Sequence, residues 1–166
     1  RLAGESEDSR RAAFGMRVLL AERRGAPLRP GRVAFEQVLA EADVLSLHVP
    51  LTPVTRNLIG ATELAHLKSS AILINSARGG VVDEVALVEA LQTRKIAGAG
   101  LDVFNVEPLP AEHPYRKMSN VILTPHLGYV TKDGYALFYG GMVEAIRAWI
   151  DGKPVQDLTA SNRDIA

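Results

Sequence analysis

Short apolar runs alternate with segments of helical periodicity along most of the chain. Residues 17–21, Arg17-Val18-Leu19-Leu20-Ala21, read as a buried strand. Phe35, Val38, Leu39 and Ala42 then recur at helical spacing, and the pattern stops at Asp43. Further strands are expected at 43–48, 71–75, 98–103 and 120–124. Residues 62–68 suit one or two helical turns. Residues 84–92 suit a helix N-capped by Asp83, with Val85, Val88 and Leu91 on one face. A long helix is expected from about Thr131 to Asp151, closed by a C′ glycine, Gly152, and by Pro154. Strands alternating with helices mean βαβ units, so the fold class is α/β with a parallel, doubly wound sheet. Residues 1–152 are assigned to this domain and 153–166 to a C-terminal tail.

If the strands are parallel, their carboxyl ends share one edge, the edge at which open α/β sheets bind ligands. The loops leaving those ends hold residues suited to ligand chemistry. His48 and Pro50 follow one run, and Ser76 and Arg78 the next. Glu107 follows the third and His126 the fourth. Arg78 sits in Asn75-Ser76-Ala77-Arg78-Gly79-Gly80. Its planar fork matches a carboxylate, and the glycines permit close approach. A surface arginine in a tight turn is the competing reading. Glu107 alone is more often a solvated loop acid, and a lone His126 more often a structural histidine. Adjacent loops at one edge bring the two within hydrogen-bond reach, where a carboxylate orients the imidazole and favours its charged form. That arrangement suits a general acid. His48 reads as a satisfied edge residue, His66 as solvated and His113 as without a role. No His-x-x-x-His pair suggests a metal.

Charge and composition narrow the classes. Nineteen basic and nineteen acidic side chains cancel, so nothing points to nucleic acid or to an anionic membrane. There is no cysteine, which removes thiolate chemistry and disulfides. No apolar run reaches a membrane span of about 18 residues, and residues 1–11 are not a secretory signal. A cytoplasmic protein is expected.

Glu22, just after the first run, is placed where a dinucleotide fold binds the adenosine ribose hydroxyls, though an ordinary exposed acid fits equally. Arg23 and Arg24 leave NAD against NADP open, because arginine takes a 2′-phosphate. A complete Gly-x-Gly-x-x-Gly after a first strand is absent. Gly4 is placed as the last glycine of such a fingerprint, whose strand and earlier glycines would precede residue 1.

Four spaced motifs together resemble the D-isomer-specific 2-hydroxyacid dehydrogenases. They are His48-x-Pro50-Leu51-Thr52-x-x-Thr55, residues 75–83, Leu101-Asp102-Val103-Phe104-x-x-Glu107-Pro108 and Thr124-Pro125-His126-x-Gly128. The resemblance runs from about Phe14 to Val155 and implies a Rossmann-like dinucleotide-binding domain. It implies that Arg78 binds the substrate carboxylate and carbonyl, that His126 is the general acid/base and that Glu107 orients it. It assigns cofactor contacts to Gly4, Glu22, Val49, Pro50, Thr55, Ser76, Asp102, His126 and Gly128. Val49 and Pro50 would border the adenine side; Ser76 and Asp102 would border the nicotinamide. The implied cofactor is NAD, with NADP possible as the alternative, and the partners are a small 2-oxo or 2-hydroxy acid and a second copy in a homodimer. The family's separate substrate domain and most of the phosphate loop have no counterpart here. The chain is therefore read as the incomplete cofactor domain of an oxidoreductase, expected to bind NAD poorly and to lack activity alone. A dinucleotide-sensing or protein-interaction module without catalysis is the alternative.

Overall fold

Four strands pair in parallel in the order β1-β2-β3-β4. They are β1 (Val44–Leu47), β2 (Ile72–Asn75), β3 (Gly98–Leu101) and β4 (Val121–Leu123). The computed structural model describes residues 15–153. Three helices accompany the sheet: α1 (Phe35–Glu41), α2 (Ala61–His66) and α3 (Glu84–Gln92). The expected α/β, Rossmann-like architecture is borne out by this sheet and its crossover helices.

The register is continuous, with Leu45 opposite Leu73 and Leu73 opposite Ala99. Leu45, Leu73 and Ala99 are buried, while Val44 and Ile72 point to the opposite pleat. Facing the buried row, α2 packs between α1 and α3. Leu39, Leu64, Leu87 and Leu91 supply the helical side of the core. Gly98 makes the β3–β4 pairing possible, because a Cβ there would meet the Asn120 carbonyl at 2.7 Å.

Two expectations change. Residues 17–21 make no ladder among the described residues. Their pairing is one parallel bridge, Ala21 with Val33, closed by Glu22 N–H to the Val33 carbonyl and Val33 N–H to the Leu20 carbonyl. With one partner at one point, the segment leaves Val18 and Leu19 only half-buried. In α3 the buried residues are Leu87, Ala90 and Leu91, and Val85 is exposed. The longer Leu87 removes more apolar area from water than Val85, and positions 87, 90 and 91 share one helical face. The Asp83 cap is present, its carboxylate accepting from Ala86 N–H at 3.1 Å.

The chain divides into two compact units, the second beginning at Leu127. That unit holds α4 (Lys132–Ile150), N-capped by the Thr131 hydroxyl, which accepts from Gly134 N–H at 2.9 Å. At its end Gly152 takes φ +68, with Gly152 N–H bonded to the Trp149 carbonyl and Lys153 N–H to the Ala148 carbonyl. This is the glycine C′ closure expected. Gly4, Pro154 and nearly all of the assigned tail lie outside the described residues.

Candidate active site

The parallel order carries the loops after β2, β3 and β4 to one edge of the sheet. After β2 the chain turns sharply, and Asn75 shapes the turn. Its side chain is buried, accepting from Ala77 N–H at 3.1 Å and donating to the Arg78 carbonyl at 3.0 Å. Arg78 is therefore lifted off the sheet into an exposed position, where its guanidinium also donates to the Ala77 carbonyl. A short 3-10 turn, Gly79–Val81, follows. Gly79 sits against the backbone of Phe104 and Asn105, in space that a Cβ would occupy. The arginine turn is thus seated directly on the loop that leads to Glu107.

His126 lies just beyond β4 with φ +57, a conformation uncommon for a residue with a side chain. Its N–H is bonded to the Asp102 carbonyl at 2.8 Å, which ties the histidine loop to the end of β3. The His126 Nδ1 is 2.7 Å from Glu107 Oε2. The other Glu107 oxygen accepts from Phe104 N–H at 2.9 Å. The His126 ring, first, and the Phe104 amide hold the Glu107 carboxyl below the usual carboxylate range. Glu107 precedes a cis proline, Pro108.

Arg78, Glu107 and His126 line one cleft of about 340 Å³, with Leu51, Arg56 and Gly80 on its rim. An imidazole, an oriented carboxylate and a guanidinium in one cleft can bind a small carboxylic acid and exchange a proton with it. Arg56 is a second cation that the sequence reading passed over. It reaches the cleft because the segment directly after it is latched to the arginine turn: Asn57 N–H bonds the Gly80 carbonyl and Ile59 N–H the Val81 carbonyl. The available signal was its place directly after Thr52-x-x-Thr55, a self-closing pair.

The other assigned positions are distributed as follows. Val49 is half-buried and Pro50 exposed after β1. The Thr55 hydroxyl donates to the Pro50 carbonyl at 2.6 Å and accepts from Thr52 N–H at 2.8 Å, so it shapes that loop. Ser76 is exposed at the end of β2. Asp102, at the end of β3, is buried and accepts from the Thr124 hydroxyl. Gly128 belongs to the second unit, in a turn before α4. Glu22 is not the exposed acid of the competing reading. It is 4% exposed and paired with Arg29, whose Nε and Nη2 reach its two oxygens at 2.6 and 2.8 Å. That arginine and the Arg23 amide lower its pKa to about 2. Arg24 is held by Glu63 and Glu36 and lies over the Phe35 ring.

His113 does have a structural part. Its Nδ1 accepts from Tyr115 N–H, capping the turn Pro114–Lys117, and its Nε2 lies 3.3 Å from Glu84. His48 meets the Ser46 hydroxyl and His66 the Thr62 carbonyl. Among the described residues, no three of His, Asp and Glu are grouped as a metal site. Nor is any helix among them long and apolar enough to cross a membrane.

Comparison with known proteins adds an independent line. The family model described as "D-isomer specific 2-hydroxyacid dehydrogenase, NAD binding domain" matches residues 4–128. A glycerate dehydrogenase of Methylorubrum extorquens is 42% identical over 154 residues, which are 91% of this chain and 48% of that protein. Among solved structures, the TT0316 protein of Thermus thermophilus superposes with a TM-score of 0.80 at 42% identity. The match covers 92% of this chain and 50% of that one. A D-isomer specific 2-hydroxyacid dehydrogenase of Xanthobacter autotrophicus, in complex with NADPH and MES, gives a TM-score of 0.70 at 40% identity, over 92% and 64%. The chain spans less than half the length of the curated relatives it matches, from 27% to 48% among them.

Proposed function

The chain belongs to the D-isomer-specific 2-hydroxyacid dehydrogenase family by its NAD-binding domain, and from that premise we propose that it serves a nicotinamide-dependent oxidoreductase acting on a small 2-oxo or 2-hydroxy acid. The observation that carries the reading is the 2.7 Å His126–Glu107 pair sharing a cleft with Arg78.

The residues present fit a nicotinamide dinucleotide. Asp102, a buried carboxylate, and the Ser76 hydroxyl stand at the carboxyl edge beside the cleft and suit the carboxamide end. Val49 and Pro50 offer an apolar border further along the edge. When bound, the nicotinamide supplies a hydride to the carbonyl carbon of a 2-oxo acid, or takes one from a 2-hydroxy acid.

The protein's part is binding, orientation and the proton. Arg78 offers a planar fork to the substrate carboxylate. Glu107 engages His126 at Nδ1 and fixes the ring, and in this reading Nε2 exchanges the proton with the substrate oxygen. In the reductive direction that proton completes the hydroxyl; in the oxidative direction His126 takes it back. Arg56 adds positive charge at the rim, favouring an anionic substrate.

A cytoplasmic homodimer belongs to the same reading. Supporting the dimer, α4 carries Leu137, Phe138, Met142, Ile146 and Trp149, large apolar side chains that one helix and a turn cannot bury by themselves.

Steady-state kinetics of the full-length protein with a 2-oxo acid and reduced cofactor test the reading. His126→Gln should lower turnover by about 10²–10⁴-fold, the usual share of general acid–base catalysis. Unchanged turnover would remove the proton role of His126.

A further inference from the structure

The Glu22–Arg29 pair changes what the adenosine end of the domain presents to a ligand. Glu22 follows the bridge at Ala21, where an acid in a dinucleotide fold accepts from the ribose hydroxyls. Here both carboxylate oxygens are engaged. Arg29 Nε donates to one at 2.6 Å and Arg29 Nη2 to the other at 2.8 Å, while Arg23 N–H reaches Oε1 at 2.9 Å. The Glu22 side chain is 3% exposed and the Arg29 side chain 60%. The outward surface is therefore a guanidinium, with the carboxylate beneath it.

The loop holds that guanidinium in place. Pro30 restricts the Arg29 backbone to extended conformations. Arg32 ties the loop to the strand end by donating to the Ala21 carbonyl at 2.8 Å. Arg24 is turned away onto Glu63, Glu36 and Phe35. A guanidinium has five N–H donors. Two are used on Glu22, which leaves three on a side chain that is 60% exposed, available without any bond having to break. A diol in the same place would have to displace Arg29 from a bidentate, charge-assisted pair before reaching the acid. A phosphate meets donors already oriented.

We propose that Arg29, seated on Glu22, selects a 2′-phosphorylated adenosine ribose, so that this domain takes NADPH in preference to NADH. The proposal rests on the reading that this strand end receives the adenosine ribose. Glu22 acts as a positioning residue for Arg29, and the exposed Arg23 adds charge beside the phosphate.

The test uses the chain itself, with the Arg29 Nε–H resonance followed by NMR during titration with adenosine 2′-monophosphate or adenosine 5′-monophosphate. The 2′-phosphate should shift that resonance and bind about tenfold or more tighter than the 5′-phosphate, the factor expected for hydrogen bonds to a charged group. Equal binding of the two, or an unmoved Arg29 signal, would overturn the proposal. Fluorescence titration with NADPH and NADH gives a second arm. Arg29→Ala should abolish the NADPH preference and leave NADH binding equal or tighter, because Glu22 is uncovered. If Glu22→Gln weakens NADH binding while Arg29→Ala leaves the NADPH-to-NADH ratio unchanged, the role of Arg29 fails and the ribose site stands. If neither substitution alters either affinity, the ribose reading fails as well.

Discussion

The α-carbon of Gly79 lies against the backbone of Phe104, in space that no side chain can share. This contact joins the turn bearing Arg78 to the loop bearing Glu107, and so sets the width of the cleft. Gly79→Ala must push the two loops apart. A destabilisation of roughly 1–3 kcal/mol is expected, the range for overpacking a tight site. Urea unfolding measures it, and a wild-type midpoint would mean that the loops are not in contact in solution.

Asn75 holds the same turn from below through the Ala77 amide and the Arg78 carbonyl. Asn75→Leu keeps the branched shape with the same number of heavy atoms and removes both bonds. It should cost about 1–3 kcal/mol, the penalty for leaving buried polar groups unpaired. The Michaelis constant for a 2-oxo acid should also rise, because Arg78 loses its fixed position. A change in stability with no change in that constant would confine Asn75 to the fold.

Arg78→Lys preserves the charge and removes the fork. The Michaelis constant should rise more than turnover falls, since an ammonium cannot reproduce bidentate contact with a carboxylate. Kinetics across a substrate concentration series separate the two. Equal loss in turnover and in kcat/KM would place Arg78 in the transition state instead.

Glu22 predicts the acid side of the stability profile. Its pKa is lowered from 4.5 to about 2, with Arg29 the largest cause. A depressed carboxylate stabilises the fold fully above its unfolded value and loses that contribution as pH falls through the folded one. The stability difference between wild type and Arg29→Ala should therefore be constant above about 4.5 and shrink toward about pH 2. Glu107, lowered by His126, weakens both proteins on acidification and so cancels in this difference. Denaturant midpoints across the acid range provide the measurement. A gap that widens on acidification would contradict the pairing.

Much was legible in the chain. The apolar runs located β1 to β4 within a residue or two, because a strand inside a parallel sheet must be apolar along most of its length. Asp83, Thr131 and Gly152 marked helix ends through local geometry, which needs only neighbouring residues. Arg78, Glu107 and His126 were legible as candidates because parallel strands send their loops to one edge. Other features depended on residues far apart in sequence. Val85 lost its place to Leu87 because the roll of α3 is decided by what the sheet and α2 leave room for. Residues 17–21 failed to form a ladder because a strand needs partners that its own sequence does not name. The seat of Gly79 on Phe104, the approach of Arg56 and the burial of Glu22 beneath Arg29 arise only when separate loops meet. The sequence by itself determined the elements and their chemistry; the tertiary structure decided which donors and acceptors remain turned toward a ligand, because that depends on which groups fill one another's space.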